Sequence, residues 1–357
     1  MQPAARHAMK ITWPSFGFDR QLPLRWQGVF RRMALACMLV CSPLWAQPPS
    51  GDSSPRAVSL IFAGDTTLDS TPGERIRKGG DPLASFAPLF AQADVRLLNL
   101  ECAVATLGSA LDKHYTFRAH PRVLPVLKRH VDAVTLANNH SGDFGREAFM
   151  EMLGLLKQHG IAAVGGGHNL QQAHTPWIVE RQGLRLAILS YNEFMPRSYE
   201  ADAQAAGVAW SEDVRVVDDI RQARAAHRAD VVLLFMHWGW ENELVANARQ
   251  RQLARLAIDA GADGVIGGHP HVTQDIDIYR GKPIVYSVGN FVMKETDNDR
   301  QRQGWVIRLR LDAQGVAGFD THVARIDRQG LPTRDTKTAS PCWQRGWSHT
   351  QSCAAAP

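Results

Sequence analysis

Three things are scarce in this 357-residue chain. Cysteine is the first: there are five, and two of them, Cys37 and Cys41, lie inside a short apolar run near the N-terminus. Of the rest, Cys342 and Cys353, with ten residues between them, stand in a polar, Trp-containing tail. A disulfide between them is compatible with an oxidising compartment. Cys102, directly after Glu101 in an apolar segment, reads as a small buried residue rather than a nucleophile. Excess charge of one sign is the second absence. The formal charge is +5, but residues 1–46 hold six of the 40 Lys/Arg and one of the 35 Asp/Glu, which leaves 34 of each downstream. A balanced remainder gives no general affinity for nucleic acid, so none is expected as a partner.

Long apolar runs are the third. "MALACMLVCSPLWA" (33–46) is too short to span a bilayer comfortably. It follows Arg31 and Arg32 and ends in a small residue, the layout of a secretory signal cleaved after Ala46. The expectation is a signal peptide over 1–46 with an atypical N-terminal extension, and a mature protein in the periplasm or on the outer face of the cytoplasmic membrane. Residues 47–57 read as a polar linker. With no repeat, low-complexity segment or second boundary in view, 58–330 reads as one domain and 331–357 as a C-terminal tail.

What is present is a repeated device. "AVSLIFAGD", "DVRLLNLE", "VDAVTLANNH", "RADVVLLFMH" and "GADGVIGGHPH" are apolar runs that each deliver polar residues at their C-terminal end. Helical patterns over 146–159, 213–227 and 249–260 separate several of them, which argues for a layered α/β fold. The stretch from 281 to 327 alternates strands and tight turns. In open α/β folds, ligands bind at the carboxyl ends of strands. Here those ends carry Asp65, Asn99, Glu101, Asn139, His140, His237, His269 and His271. Carboxylates, an amide and imidazoles form a mixed N/O set suited to Zn, Mn or Fe, and need no thiolate. If His269-Pro270-His271 is strand-like, period-two alternation puts both rings on one face. Trp238, Trp240 and Glu241 follow His237 and either line a cleft or pack beneath it. His114, Arg118 and His120 read as a solvated loop.

The ordered motifs "GDTTLD", "LLNLE", "TLANNHSGDFG", "FMHWG", "GVIGGHPHV" and "VYSVGNF" resemble the CapA-type proteins of poly-γ-glutamate capsule synthesis, within the calcineurin-like metallophosphoesterase superfamily. The resemblance spans roughly Val58 to Ile326. It implies a four-layer αββα sandwich of the metallophosphoesterase type with two divalent metal ions at one edge. By that resemblance one metal takes Asp65, Glu101 and His271, and the other Glu101, Asn139, His237 and His269. His140 is then the catalytic histidine. Asn99, Trp238 and Asn290 are further candidates. The sequence departs from the superfamily's D-x-H motif at Asp65-Thr66-Thr67, where a histidine ligand is replaced by threonine. Two functions follow as expectations. One is an exported metal-dependent hydrolase acting on a phosphoester or an anionic envelope polymer. The other is a non-catalytic capsule-synthesis accessory that binds such a polymer or a membrane-bound synthase.

Overall fold

The computed structural model describes residues 57–294 and 296–354. The expected signal peptide, and the linker up to residue 56, lie outside the described residues. Two large sheets organise the domain. In the first, the Val58–Thr66 strand is central. Val95–Leu100, Ala133–Thr135 and Ala162–Val164 extend it on one side in parallel, and Gln303–Asp312 and Gly315–Ile326 on the other in antiparallel pairing. In the second, Leu184–Asn192, Val231–His237, Gly264–Gly268 and Lys282–Val285 run parallel. Trp177–Arg181 and Ile276–Tyr279 close its edges antiparallel.

Side-chain parity along the strands sorts the apolar residues into separate cores. Leu60 and Phe62, Val95 and Leu97, Val231, Leu233 and Phe235 all belong to one cluster shared by the two sheets. Their neighbours Ile61 and Ala63, Leu98 and Leu100 join a second cluster with helix residues such as Phe149 and Met152. Val232, Leu234 and Met236 join a third with Val216, Ile220 and Leu253. Period-two alternation is the cause: each fully buried strand feeds a different core from each face. Across the shared core, the Phe62 and Phe235 rings stack with centroids 4.1 Å apart.

The expected helices form as Gly145–Gln158, Asp213–Ala225 and Ala248–Ala260. The last begins with a capping box, in which the Asn247 side chain accepts from Gln250 N and the Gln250 side chain accepts from Asn247 N.

The stretch after 330 differs from the expected tail. Pro332–Asp335 and Ser340–Gln344 pair with Gly315–Ile326, and Gln351–Cys353 pairs with Ser340–Gln344. Trp343 is fully buried in the core shared by the two sheets, so the segment is part of the sheet. The sulfurs of Cys342 and Cys353 are bonded, with Cα atoms 5.8 Å apart. Cys102 is buried, and burial pushes its thiol up to about 12, so it stays an inert thiol. No helix among the described residues is long and apolar enough to cross a membrane.

Candidate metal centre

The polar residues collect where the shared core ends. On Val231–His237, residues 231, 233 and 235 face that core, so His237 emerges on the same face at the end of the strand. The same parity brings out Asn99 and then Glu101 after Val95 and Leu97, and Thr135 after Ala133. Asp65 breaks parity with Leu60 and Phe62 and reaches the site through a bulge at Gly64, where the register with the neighbouring strand shifts between Ala63 and Asp65. Glycine is required at that bend: a Cβ on residue 64 would stand 2.0 Å from Gly289 O. A Cβ on Gly268 would likewise lie 2.6 Å from Asp65 Oδ1, so the glycine pair before the histidines makes room for the carboxylate.

His269 and His271 lie past the end of Gly264–Gly268, not on a strand. Their φ values are 91° and 57°, left-handed backbone on either side of Pro270. The strand-like period-two reading of H-x-H is therefore corrected. Two non-glycine residues in this region cost on the order of 1–3 kcal/mol each, a strain typical of ligand-holding loops.

The resulting cluster is dense and dry. Asp65, Asn99, Glu101, His237, His269 and Asn290 are all fully buried, and Asn139, His140 and His271 nearly so. Around His237 Nε2 lie Asn139 Oδ1 at 2.7 Å, His269 Nδ1 at 3.1 Å and Glu101 Oε1 at 3.4 Å. Ligands about 2.0–2.1 Å from one tetrahedral ion stand roughly 3.4 Å from each other, so this spacing fits a shared cation. The same Glu101 Oε1 lies 3.8 Å from His271 Nε2, and His271 Nδ1 is 3.4 Å from Asp65 Oδ2. Two groups able to hold a metal emerge, Glu101–His237–His269 and Asp65–Glu101–His271, and Glu101 belongs to both. Both Glu101 oxygens and His269 Nε2 are buried without a hydrogen-bond partner. A buried carboxylate so placed is costly unless a cation or proton compensates it.

The electrostatics agree. Burial would raise the Asp65 carboxyl, but its hydrogen bond with His271 and the nearby charges of His237 and His271 outweigh that and hold it low. Burial would lower His271, yet Glu101 and Asp65 keep it protonated up to about 10. His269 is pushed well below its ordinary value by burial and by the surrounding histidines, so it stays neutral, the form that ligates metal. Two buried carboxylates call for positive charge; without metal the His271 proton supplies part of it, and a divalent cation ligated by His271 would displace that proton and supply the charge instead.

A second layer holds these groups in place. Asn99 Nδ2 donates to Asp65 Oδ1 at 2.8 Å and lies 3.3 Å from His237 Nδ1, while its Oδ1 accepts from Thr135 and Asn138. Asn290 Oδ1 is 2.9 Å from His271 Nδ1. Asn99 and Asn290 thus orient ligands. Trp238 falls outside the site. Parity turns it to the far face of its sheet, where it is buried in the helix-side core and its indole donates to Tyr286 O at 2.8 Å. Trp240 is 63% exposed and meets Phe194 edge-on. Arg118 donates to the Leu107 and Gly108 carbonyls, and the His120 side chain accepts from Arg122 N, away from the cluster. Thr67, at the position of the missing motif histidine, is buried and donates to Met293 Sδ at 3.7 Å.

Several residues escaped sequence reasoning. Asp143 Oδ2 accepts from His140 Nδ1 at 2.7 Å, and an acid three residues after a histidine was a legible sign of it. Phe194 packs on the His269 ring, with centroids 3.8 Å apart, and nothing in its local sequence announces that.

Carboxylates, amides and imidazoles at the strand ends of two facing sheets, with one carboxylate shared between two ligand-type groups, make up a candidate metal centre. Residues 59–295 match the family described as bacterial capsule synthesis protein PGA_cap, and the chain belongs to that family within the metallophosphoesterase-like superfamily. It is 29% identical over 303 residues to the PGA biosynthesis protein CapA of Bacillus subtilis (strain 168), covering 82% of this chain and 79% of that one. With the capsule biosynthesis protein CapA of Bacillus anthracis it shares 32% identity over 202 residues, 56% of this chain and 48% of the relative, so it spans about half of that protein. Among solved structures, a hypothetical protein from Thermus thermophilus aligns with a TM-score of 0.49 at 18% identity, covering 74% of this chain and 98% of that one.

Proposed function

We propose that this capsule-synthesis protein is an exported, metal-dependent hydrolase acting on a phosphoester or on a bond of an anionic capsule polymer of the poly-γ-glutamate type. The observation that carries the reading is Glu101, a fully buried carboxylate with neither oxygen hydrogen-bonded, between two sets of ligand-type side chains. In this reading two divalent ions (Mn, Zn or Fe) are held, one by Asp65, Glu101 and His271, the other by Glu101, Asn139, His237 and His269. The three cores between and outside the sheets support a four-layer αββα arrangement. Bound divalent ions supply Lewis acidity and a nucleophile near neutral pH.

The chain's own residues do the rest. Asp143 fixes the His140 ring through Nδ1, which leaves Nε2 to give a proton to a leaving oxygen or to hold charge developing there. Lys113 pairs with Asp143 and donates to Asn139 O at 2.7 Å, which ties the histidine's support to a ligand residue. Phe194 and the buried strand ends keep water off the histidines.

A second reading has its own support. Thr67 is committed to Met293, so one ligand group lacks a fourth protein ligand, as a non-catalytic accessory that binds anionic polymer or a membrane-bound synthase would tolerate. His140→Asn separates the two. A hydrolase variant should keep its metal, by elemental analysis, and lose turnover on phosphodiester or polyglutamate by roughly 10²–10⁴-fold, the range of a general acid. Unchanged hydrolysis in a metal-loaded variant refutes the catalytic role.

A further inference from the structure

A cavity of about 380 Å³ opens beside His140 and His271, and a cation stands in its wall. The Lys294 ammonium lies 4.2 Å from the Tyr115 ring centroid and 5.1 Å from that of Phe117. Among the described residues no carboxylate pairs with it. Two ring faces attract an ammonium but leave its three N–H donors unspent.

The group is anchored to the site on both sides. Lys294 follows the Asn290–Val292 strand, whose Asn290 holds His271 and whose Val292 is in register with Thr66, next to Asp65. Of the two rings beneath it, Phe117 is tied to His140. Phe117 N donates at 2.8 Å to the same Asp143 oxygen that holds His140, and the Phe117 and His140 rings are 4.4 Å apart. Glu241 also lines the cavity and would repel an anion lying near it.

We infer that Lys294, seated on Tyr115 and Phe117, is a specificity-determining residue that reads a second anionic group of the ligand beside the one at the metal centre. The inference rests on the metal-centre reading above. A simple monoester has one anionic group, and the metal centre would take it. A cation held apart from that centre selects a ligand that repeats its charge, and a γ-glutamyl chain with free α-carboxylates has that chemistry. Glu241 sets direction, because the anionic side of such a chain is favoured towards Lys294.

The test uses the metal-loaded protein and a fluorescent γ-glutamyl hexamer, alongside the same hexamer with its carboxylates amidated. Lys294→Met, which keeps the stem and loses the charge, should weaken hexamer binding about tenfold, the scale of one charge-assisted contact, with metal content unchanged. Lys294→Arg should retain affinity, and Tyr115→Leu should weaken binding in the same direction. The amidated hexamer should bind poorly and ignore Lys294. Equal binding by wild type and Lys294→Met, or no binding by wild type, overturns the inference while leaving metal content to judge the centre on its own. Lys294-dependent binding to a protein that takes up no metal would instead sink the metal centre and keep the anion site.

Discussion

Replacing Glu101 by glutamine removes one charge at nearly constant volume from the point where both ligand groups meet. The residue is fully buried, its backbone N–H donates to Thr66 O at 2.9 Å, and its carboxylate has no hydrogen-bond partner. The fold therefore holds the residue through its backbone and gains nothing from side-chain hydrogen bonds. Without metal, the variant should lie within about 1–2 kcal/mol of wild type, because a buried charge is traded for a buried amide with His271 and Asp65 still paired.

With metal the two proteins should diverge. Binding at a thousandfold excess over Kd stabilises the folded state by about 4 kcal/mol. For a domain of this size each kcal/mol is worth roughly 2–4 °C, so wild type should gain roughly 8–16 °C. Loss of a shared charged ligand should weaken binding by about a hundredfold or more, which leaves about 1.4 kcal/mol at the same concentration. The variant's gain then shrinks to roughly 3–6 °C. Thermal melts with and without added Mn or Zn, together with elemental analysis, read this directly. A full metal-induced rise in Glu101→Gln, at wild-type metal content, would falsify the shared-ligand reasoning.

Two further outcomes test the supporting structure. Reducing the Cys342–Cys353 bond should cost about 3 kcal/mol, the loop-closure value for a short loop, and open the Gln351–Cys353 edge strand and its pairing with Ser340–Gln344 to hydrogen exchange while metal content holds; uniform loosening of the whole domain would contradict it. Asp320, between Arg308 at 3.0 Å and His322 at 2.8 Å, is raised by burial but lowered more by those partners. Its folded value lies below the unfolded value of about 4, so its contribution is complete above that pH and fades as pH falls through the folded value. Asp320→Asn should therefore be less stable than wild type at pH near 7 and approach it in acid; an equal deficit in denaturant melts at both pH values would count against this.

The strand ends were legible because buried strands write long apolar runs, and a run that stops on Asp, Asn or His shows where chemistry starts. Which of those residues face the site is a finer question, and parity answers it only while the backbone stays regular. It separates His237 from Trp238, one on the shared face and the other against the helices, once the strand is known to run regularly to His237. It fails at Asp65, since a bulge at Gly64 resets the count, and at His269 and His271, since left-handed residues leave the strand altogether. Both failures fall beside glycines that a Cβ would block by contact with Gly289 O and Asp65 Oδ1. The stretch after 330 misled for a different reason: edge strands carry polar residues on their open side, so only Cys342 and Trp343 marked it as sheet. Phe194 and Lys294 could not be read at all. Phe194 comes from a segment with no motif of its own, and Lys294 lies just past one, against Tyr115 and Phe117, which are distant from it in sequence. Residues that must bind metal leave a local signature because few side chains can do so. Residues that shape the cavity around it are free to vary in type and position, so selectivity is written in the fold rather than in the motifs.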